Sequence, residues 1–159
     1  PYLPFLSSAI LSPVIGTTRG GIETACDALR GKYARLDPTS FEAGSLELAV
    51  AESEAELRGA ELLMATCLEH LESDEMRSTD KLGFAKRWAH LRRDKTYAVK
   101  LCNSAMDRLM QCLGTFGLNA RTLPQLYWRD LNAMSTHMDV RWDTMLRPSG
   151  QLTLARKSD

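Results

Sequence analysis

Several chemistries are missing from this chain of 159 residues. It has no Cys-x-x-Cys pair, no glycine-rich phosphate loop, no His-x-x-x-His spacing and no paired carboxylates in its last half, where no glutamate follows Glu75. Those absences remove the signatures of thiolate metal sites, P-loop nucleotide binding, helical zinc sites and two-carboxylate hydrolysis. The four cysteines, Cys26, Cys67, Cys102 and Cys112, are scattered among apolar positions. They read as reduced, buried thiols of a cytoplasmic protein, with no metal site. Net charge is absent too: 20 basic side chains balance 20 acidic ones. No field then attracts nucleic acid or an anionic membrane surface, and neither is expected as a partner. The apolar opening, Pro1 to Gly16, lacks a basic leader and is interrupted by Pro4 and Pro13. It is shorter than the roughly 20 residues a bilayer requires, so it reads as neither a targeting nor a spanning segment.

What is present is helical periodicity. A chain with 44% hydrophobic and 25% charged residues suits one globular domain over residues 1–159. A first helix is expected over about Phe5 to Tyr33, with Pro13 as a start or a kink. Asp37-Pro38-Thr39 breaks the chain, and Thr39-x-x-Glu42 reads as a capping box opening a long helix to about Glu72. Leu46, Ala49, Val50, Leu57, Ala60, Met64, Cys67, Leu68 and Leu71 line its inner face. A polar turn, Ser73 to Asp80, leads to a third helix from about Lys81 to Gly114, stopped by Gly114, Gly117 and Asn119. No strand alternation, internal repeat or low-complexity tract interrupts this pattern. The expected fold is an all-α, antiparallel four-helix bundle. Surplus apolar face, such as Leu46, Leu57 and Met64, points to a homo-oligomer.

Charge is uneven along the chain. Glu42 to Glu75 carries ten acidic residues against Arg58, and Lys81 to Lys100 carries seven basic ones against Asp94. Two readings stand: opposed docking faces, or complementary solvated faces of adjacent helices.

Titratable, aromatic and apolar residues converge only between Thr122 and Met145. Thr122-x-x-Gln125 reads as a capping box with Pro124 in the first turn, so a fourth helix is expected from Leu123 to about Met145. Tyr127, Leu131, Met134, Met138, Trp142 and Met145 then form one stripe, with Arg129 turned away and His137 beside it, next to Met134, Met138 and Arg141. A half-sheltered histidine there can exchange protons or simply pack. Arg129 and Asp130 can touch a cofactor or tie helix to helix, and Trp128 and Trp142 can stack on a ring or pack. Pro148-Ser149-Gly150 is expected to end this helix, leaving 148–159 as a loose tail.

Gly16-Thr17-Thr18-Arg19-Gly20-Gly21, Leu48-Ala49, Arg92-Arg93-Asp94, the closing Gly114, and Gln125-x-x-x-Arg129-Asp130 followed by His137 resemble the C-terminal domain of the acyl-CoA dehydrogenase superfamily. The chain is most similar to its type-2 branch, found in flavin-dependent monooxygenases such as 4-hydroxyphenylacetate hydroxylase oxygenase components and dibenzothiophene monooxygenase. The resemblance implies the C-terminal bundle of a larger flavoenzyme, one that follows a helical domain and a β-barrel domain. It also implies a tetramer core and one wall of the flavin site. Reduced FMN or FAD from a separate flavin reductase would activate dioxygen to hydroxylate an aromatic or heteroatom substrate. His137 takes the catalytic position, and Arg129 and Trp142 become candidates to contact the flavin. The dehydrogenase alternative needs a glutamate that this chain lacks after Glu75 and before Glu23. A free-standing oligomerisation bundle is the alternative outside enzymes.

Overall fold

A computed structural model describes residues 8–72 and 80–155. Four long or medium helices carry the fold: α1 over Leu11–Tyr33, α2 over Phe41–Glu72, α3 over Lys81–Leu113 and α4 over Leu123–Ser135. Two short ones follow, α5 over Trp142–Met145 and α6 over Arg147–Leu154. No strand occurs among the described residues. The pairings run in opposite directions. Arg19 meets Glu61 at 2.6 Å and Lys32 meets Glu42 at 3.0 Å, which sets α1 against α2. The Arg108 guanidinium binds Glu56 at 2.6 Å while Gly59 faces Leu101, which sets α2 against α3. Trp128 donates to Asp107 and Asn103 donates to Ser135, which sets α3 against α4. The expected antiparallel four-helix bundle is the observed one.

Its core forms where the inner stripes meet. Val14, Ile22, Leu29, Ala60, Ala98, Cys102, Met106, Leu109 and Leu131 are all buried in one cluster. Small residues let the helices close: a methyl group at Gly21 would lie 2.6 Å from Met106 Sδ and 3.2 Å from Tyr127 Cβ. Gly114, at φ 58, ends α3 in a conformation that side chains disfavour.

Several expectations are corrected. Neither capping box forms. Ser40, one residue later than expected, caps α2 by accepting from the Ala43 N–H at 3.1 Å, while the Thr39 hydroxyl turns to Asp37. Thr122 donates its hydroxyl to the Asn119 carbonyl instead of capping α4. The regular part of the first helix starts at Leu11, so Pro13 sits in its first turn, where a missing N–H costs nothing; residues 1–7 lie outside the described part. The Ser73 to Asp80 turn also lies outside it, except for Asp80, which caps α3.

The fourth helix stops at Ser135, about ten residues short of the expected end. There the ladder tightens: the Thr136 and His137 N–H groups bond the Ala133 and Met134 carbonyls, three residues back instead of four, and the Thr136 hydroxyl also donates to Ala133. The predicted stripe therefore breaks after Met134, and Met138 stands exposed. Pro148 begins a helix instead of ending one, because it occupies the first turn of α6, and Ser149 is buried. The expected loose tail is thus helical through Leu154.

Leu46 lies in the core, and Leu57 and Met64 pack against it. The exposed apolar residues of α2 are instead Phe41, Leu48, Leu62 and Leu68. Charge pairing differs in detail as well. Acidic α2 finds its partners in Arg19 and Lys32 of α1 and in Arg108, beyond the basic Lys81 to Lys100 stretch. Solvated complementary faces fit this better than docking faces. The four cysteines are free thiols. Burial pushes the Cys67 and Cys102 thiols up to about 11.

Candidate functional site

His137 sits at the break itself. With φ −61 and ψ 137 it leaves the helix and caps the single turn Met138–Val140. Its Nδ1 accepts the backbone N–H of Asp139 at 3.3 Å, and the Asp139 carboxylate lies 3.9 Å from the same nitrogen. A neutral imidazole carries one proton, so an accepting Nδ1 leaves that proton on Nε2. The imidazole is half exposed, and Nε2 has no partner among the described residues. In this geometry it presents an N–H donor to whatever lies beyond the bundle. The expectation of a histidine packed within a helix does not hold.

The turn is seated on α3. Val140 is 3% exposed in the core, and the Arg92 guanidinium donates to Met145 Sδ at 2.8 and 3.0 Å. Trp142 follows, half exposed, with the Lys100 ammonium 4.2 Å from its ring centre and Tyr97 tilted against it at 6.3 Å. One face of the indole is therefore engaged by a cation. A cavity of about 270 Å³ lies between α3 and this segment, bounded by Thr96, Lys100, Asn103, Ser135, Val140 and Trp142. A larger groove of about 450 Å³ lies between α1 and α2, around Cys26, Tyr33, Leu46 and Val50. That groove is at the other end of the bundle, since the turn borders Thr96 and Lys100 of α3 whereas Ser53, just past Val50 on α2, already meets Ala105.

His137 and Trp142 thus share one short segment. Arg129 does not join them: it projects from the exposed face of α4 and makes no ion pair among the described residues. Trp128 is structural, its Nε1 held by Asp107 at 2.6 Å. Arg141 is tied to Asp143, holding that carboxyl below its usual range. Sequence reasoning missed Asp139 and Lys95. A signal existed for the second, since a lysine falls on the apolar stripe with Leu91, Ala98 and Cys102. Among the described residues no group of histidine, cysteine or carboxylate side chains can hold a metal ion, and no helix is long and apolar enough to cross a membrane.

The fold and this turn define a helical-bundle wall: a rigid frame presenting a histidine N–H, an indole and cations at one edge. The chain belongs to the family of the acyl-CoA dehydrogenase C-terminal domain, whose model matches residues 8–142. It is 26% identical over 161 residues to the FADH(2)-dependent resorcinol hydroxylase, oxygenase component, of Rhizobium sp. (strain MTP-10005), covering 97% of this chain and 39% of that protein. It is 24% identical to the pigment production hydroxylase of Rhodococcus sp. (strain ATCC 21145), again over 97% of this chain and 39% of the relative. The chain therefore spans about two-fifths of the length of these curated relatives. In fold it matches the 3-HSA hydroxylase of Rhodococcus sp. RHA1 with a TM-score of 0.76 at 19% identity, covering 100% of this chain and 40% of the other. The HsaA monooxygenase of M. tuberculosis matches with a TM-score of 0.74 at 18% identity, covering 96% of this chain and 39% of the other. Relatives that are hydroxylases agree with the expected type-2 branch.

Proposed function

We propose that this chain is the C-terminal bundle of the oxygenase component of a two-component flavin-dependent monooxygenase. The observation that carries the reading is the break after Ser135. It lifts His137 out of the helix and fixes an Nε2–H donor at the bundle edge, where a packed helix would have hidden it. The residues present fit one side of a flavin. An isoalloxazine is a flat ring with nitrogen and oxygen acceptors along an edge, and the His137 donor, the Lys100 cation and the Trp142 indole supply donors and aromatic surface. When bound, reduced flavin supplies dioxygen activation. The chain's own contribution is positional: His137 holds a proton at Nε2, and the Asp139 N–H on Nδ1 sets the direction of the ring. Proton acceptance by His137, the base role, requires the proton to leave Nε2 or the Asp139 bond to open, so the donor role is favoured.

Trp142 is the proposed flavin contact in this segment, by its edge or by the face away from Lys100, and Arg129, apart from it on the exposed face of α4, is proposed to meet another part of the cofactor. Reduced FAD is the favoured form because the resorcinol hydroxylase relative is named for FADH(2), with reduced FMN as the alternative. A flavin reductase supplies it, and the substrate is an aromatic or heteroatom compound. The exposed Phe41, Leu48 and Leu62 face of α2 supports self-association, read here as a homotetramer, and the four free thiols support a cytoplasmic location. The missing late glutamate weighs against an acyl-CoA dehydrogenase. The test is His137→Ala in the complete oxygenase, with product measured per reduced flavin oxidised. The expected result is a loss of product on the order of 10²-fold, with flavin oxidation continuing and thermal unfolding little changed. Full coupling together with lowered stability rules the role out.

A further inference from the structure

Asn103 spends both of its amide hydrogens on a bridge between α3 and α4. Its Nδ2 donates to the Val99 carbonyl one turn back at 3.1 Å and to the Ser135 hydroxyl at 2.7 Å. Ser135 passes the bond on, because its own hydroxyl donates to the Leu131 carbonyl at 2.8 Å. A chain of hydrogen bonds thus runs from the backbone of α3 through two side chains to the backbone of α4. It lands on Ser135, the last residue of α4, two before His137. The Asn103 amide oxygen is buried with no hydrogen-bond partner among the described residues. An unpaired buried acceptor lowers stability, so what this side chain contributes lies in its two donors. Apolar packing does not do the same work. Asn103, Ser135, Val140 and Trp142 bound the cavity of about 270 Å³, so contact is missing where α4 ends. The backbone changes course directly after the bridge, with the Thr136 and His137 N–H groups bonding Ala133 and Met134 at 3.2 and 3.0 Å. The next fixed point is Val140, 3% exposed beside Thr96 and Val99. His137 therefore lies in a short span between a polar tie and an apolar one, both on α3.

We propose that Asn103 is a positioning residue: by holding Ser135 to α3 it sets where α4 stops and so where His137 leaves the helix. The catalytic consequence rests on the proposed function, whereas the tether itself does not. Without the amide, Ser135 keeps only its bond to Leu131 of its own helix, and the last turn of α4 can shift over the cavity. His137 moves with that turn, while Asp139 stays beside the buried Val140. The bond from the Asp139 N–H to His137 Nδ1 is already long at 3.3 Å, so a small shift opens it.

The experiment uses this chain, labelled with ¹⁵N, and follows the His137 ring nitrogens together with hydrogen exchange of the Thr136 and His137 amides. Asn103→Ala should move Nδ1 towards the position of a free imidazole and speed exchange of both amides on the order of tenfold. The amides in the middle of α4, from Tyr127 to Asp130, should keep their protection. Ser135→Ala should reproduce the change, and the two alanines together should add nothing to either alone. Ser135→Thr keeps the hydroxyl and has the cavity for its methyl group, so it should retain the wild-type signals. If Asn103 only packs, its loss lowers stability throughout and leaves the His137 signals in place. Ring signals unmoved by Asn103→Ala, effects of the two alanines that add, or a Ser135→Thr protein that behaves like Ser135→Ala would each overturn the tether. Should Asn103→Ala fail to fold, Ser135→Ala against Ser135→Thr decides it. In the complete oxygenase, product per reduced flavin oxidised should fall on the order of tenfold for Asn103→Ala. If the ring signals respond to Asn103 and product yield does not, the tether stands and the role of His137 falls.

Discussion

Replacing Lys95 by methionine should make this protein more stable, contrary to the usual result of a core substitution. Burial lowers the lysine from 10.5 to about 8, and each tenfold loss of proton affinity is worth ~1.4 kcal/mol. Keeping the charge at neutral pH therefore costs the fold about 3 kcal/mol relative to a neutral side chain of the same length. Methionine retains the apolar stem and needs no counter-charge. The expected gain is roughly 2–3 kcal/mol, or about 5–10 °C in melting temperature for a chain of this size. The wild type should also depend on pH in a defined way. Between about 8 and 10.5 the unfolded chain still holds the Lys95 proton that the folded one has released, so stability rises with pH there; below 8 the cost is present in full. Two thiols act oppositely. Cys67 and Cys102 rise from 9.0 to about 11, so above 9 the folded state keeps protons that the unfolded state loses, and stability falls with about twice the slope. The sum is a rise between about 8 and 9 followed by a decline, and Lys95→Met should keep the decline and lose the rise. Urea unfolding of both proteins across this range measures it. A variant less stable than wild type at pH 7 by more than about 1 kcal/mol would refute the reasoning, because the polar surroundings of the ammonium would then outweigh its burial.

Other substitutions test the packing by the same urea titration. Gly21→Ala should cost about 1–3 kcal/mol, since the added methyl meets Met106 at 2.6 Å, whereas Gly31→Ala, with nothing within 4 Å, should gain up to about 1 kcal/mol. Leu131→Ala, at a site with 0% exposure, should cost about 2–5 kcal/mol through the cavity it opens between α4 and the core. Asp80→Ala should cost about 1 kcal/mol, because its carboxylate accepts the Leu82 and Gly83 N–H groups at 3.1 and 3.0 Å at the start of α3.

Much of this architecture is legible residue by residue. The ends of α2 and α3 fall within two residues of the positions expected from apolar spacing, the Asp37-Pro38 break and Gly114, because each of those signals acts within one turn of backbone. The caps were misplaced for the same local reason seen from the other side. Thr39 and Thr122 both match a capping box, but nearby groups, Asp37 and the Asn119 carbonyl, compete for their hydroxyls. His137 was legible as the residue of interest, while its surroundings were not: a helix through Met145 would have set it beside Met134 and Met138.

Apolar periodicity and helix stops determined the four helices, their approximate lengths and the bundle they must form to bury one stripe each. Tertiary structure alone decided where α4 ends, which way His137 faces and why a lysine stands in the core. Those outcomes depend on partners distant in sequence. Met145 meets Arg92 across 53 residues, and Val140 settles against α3 beside Thr96 and Val99. A run of residues specifies its own periodicity, but the free energy that breaks a helix at one particular turn comes from surfaces that exist only once the other helices have packed.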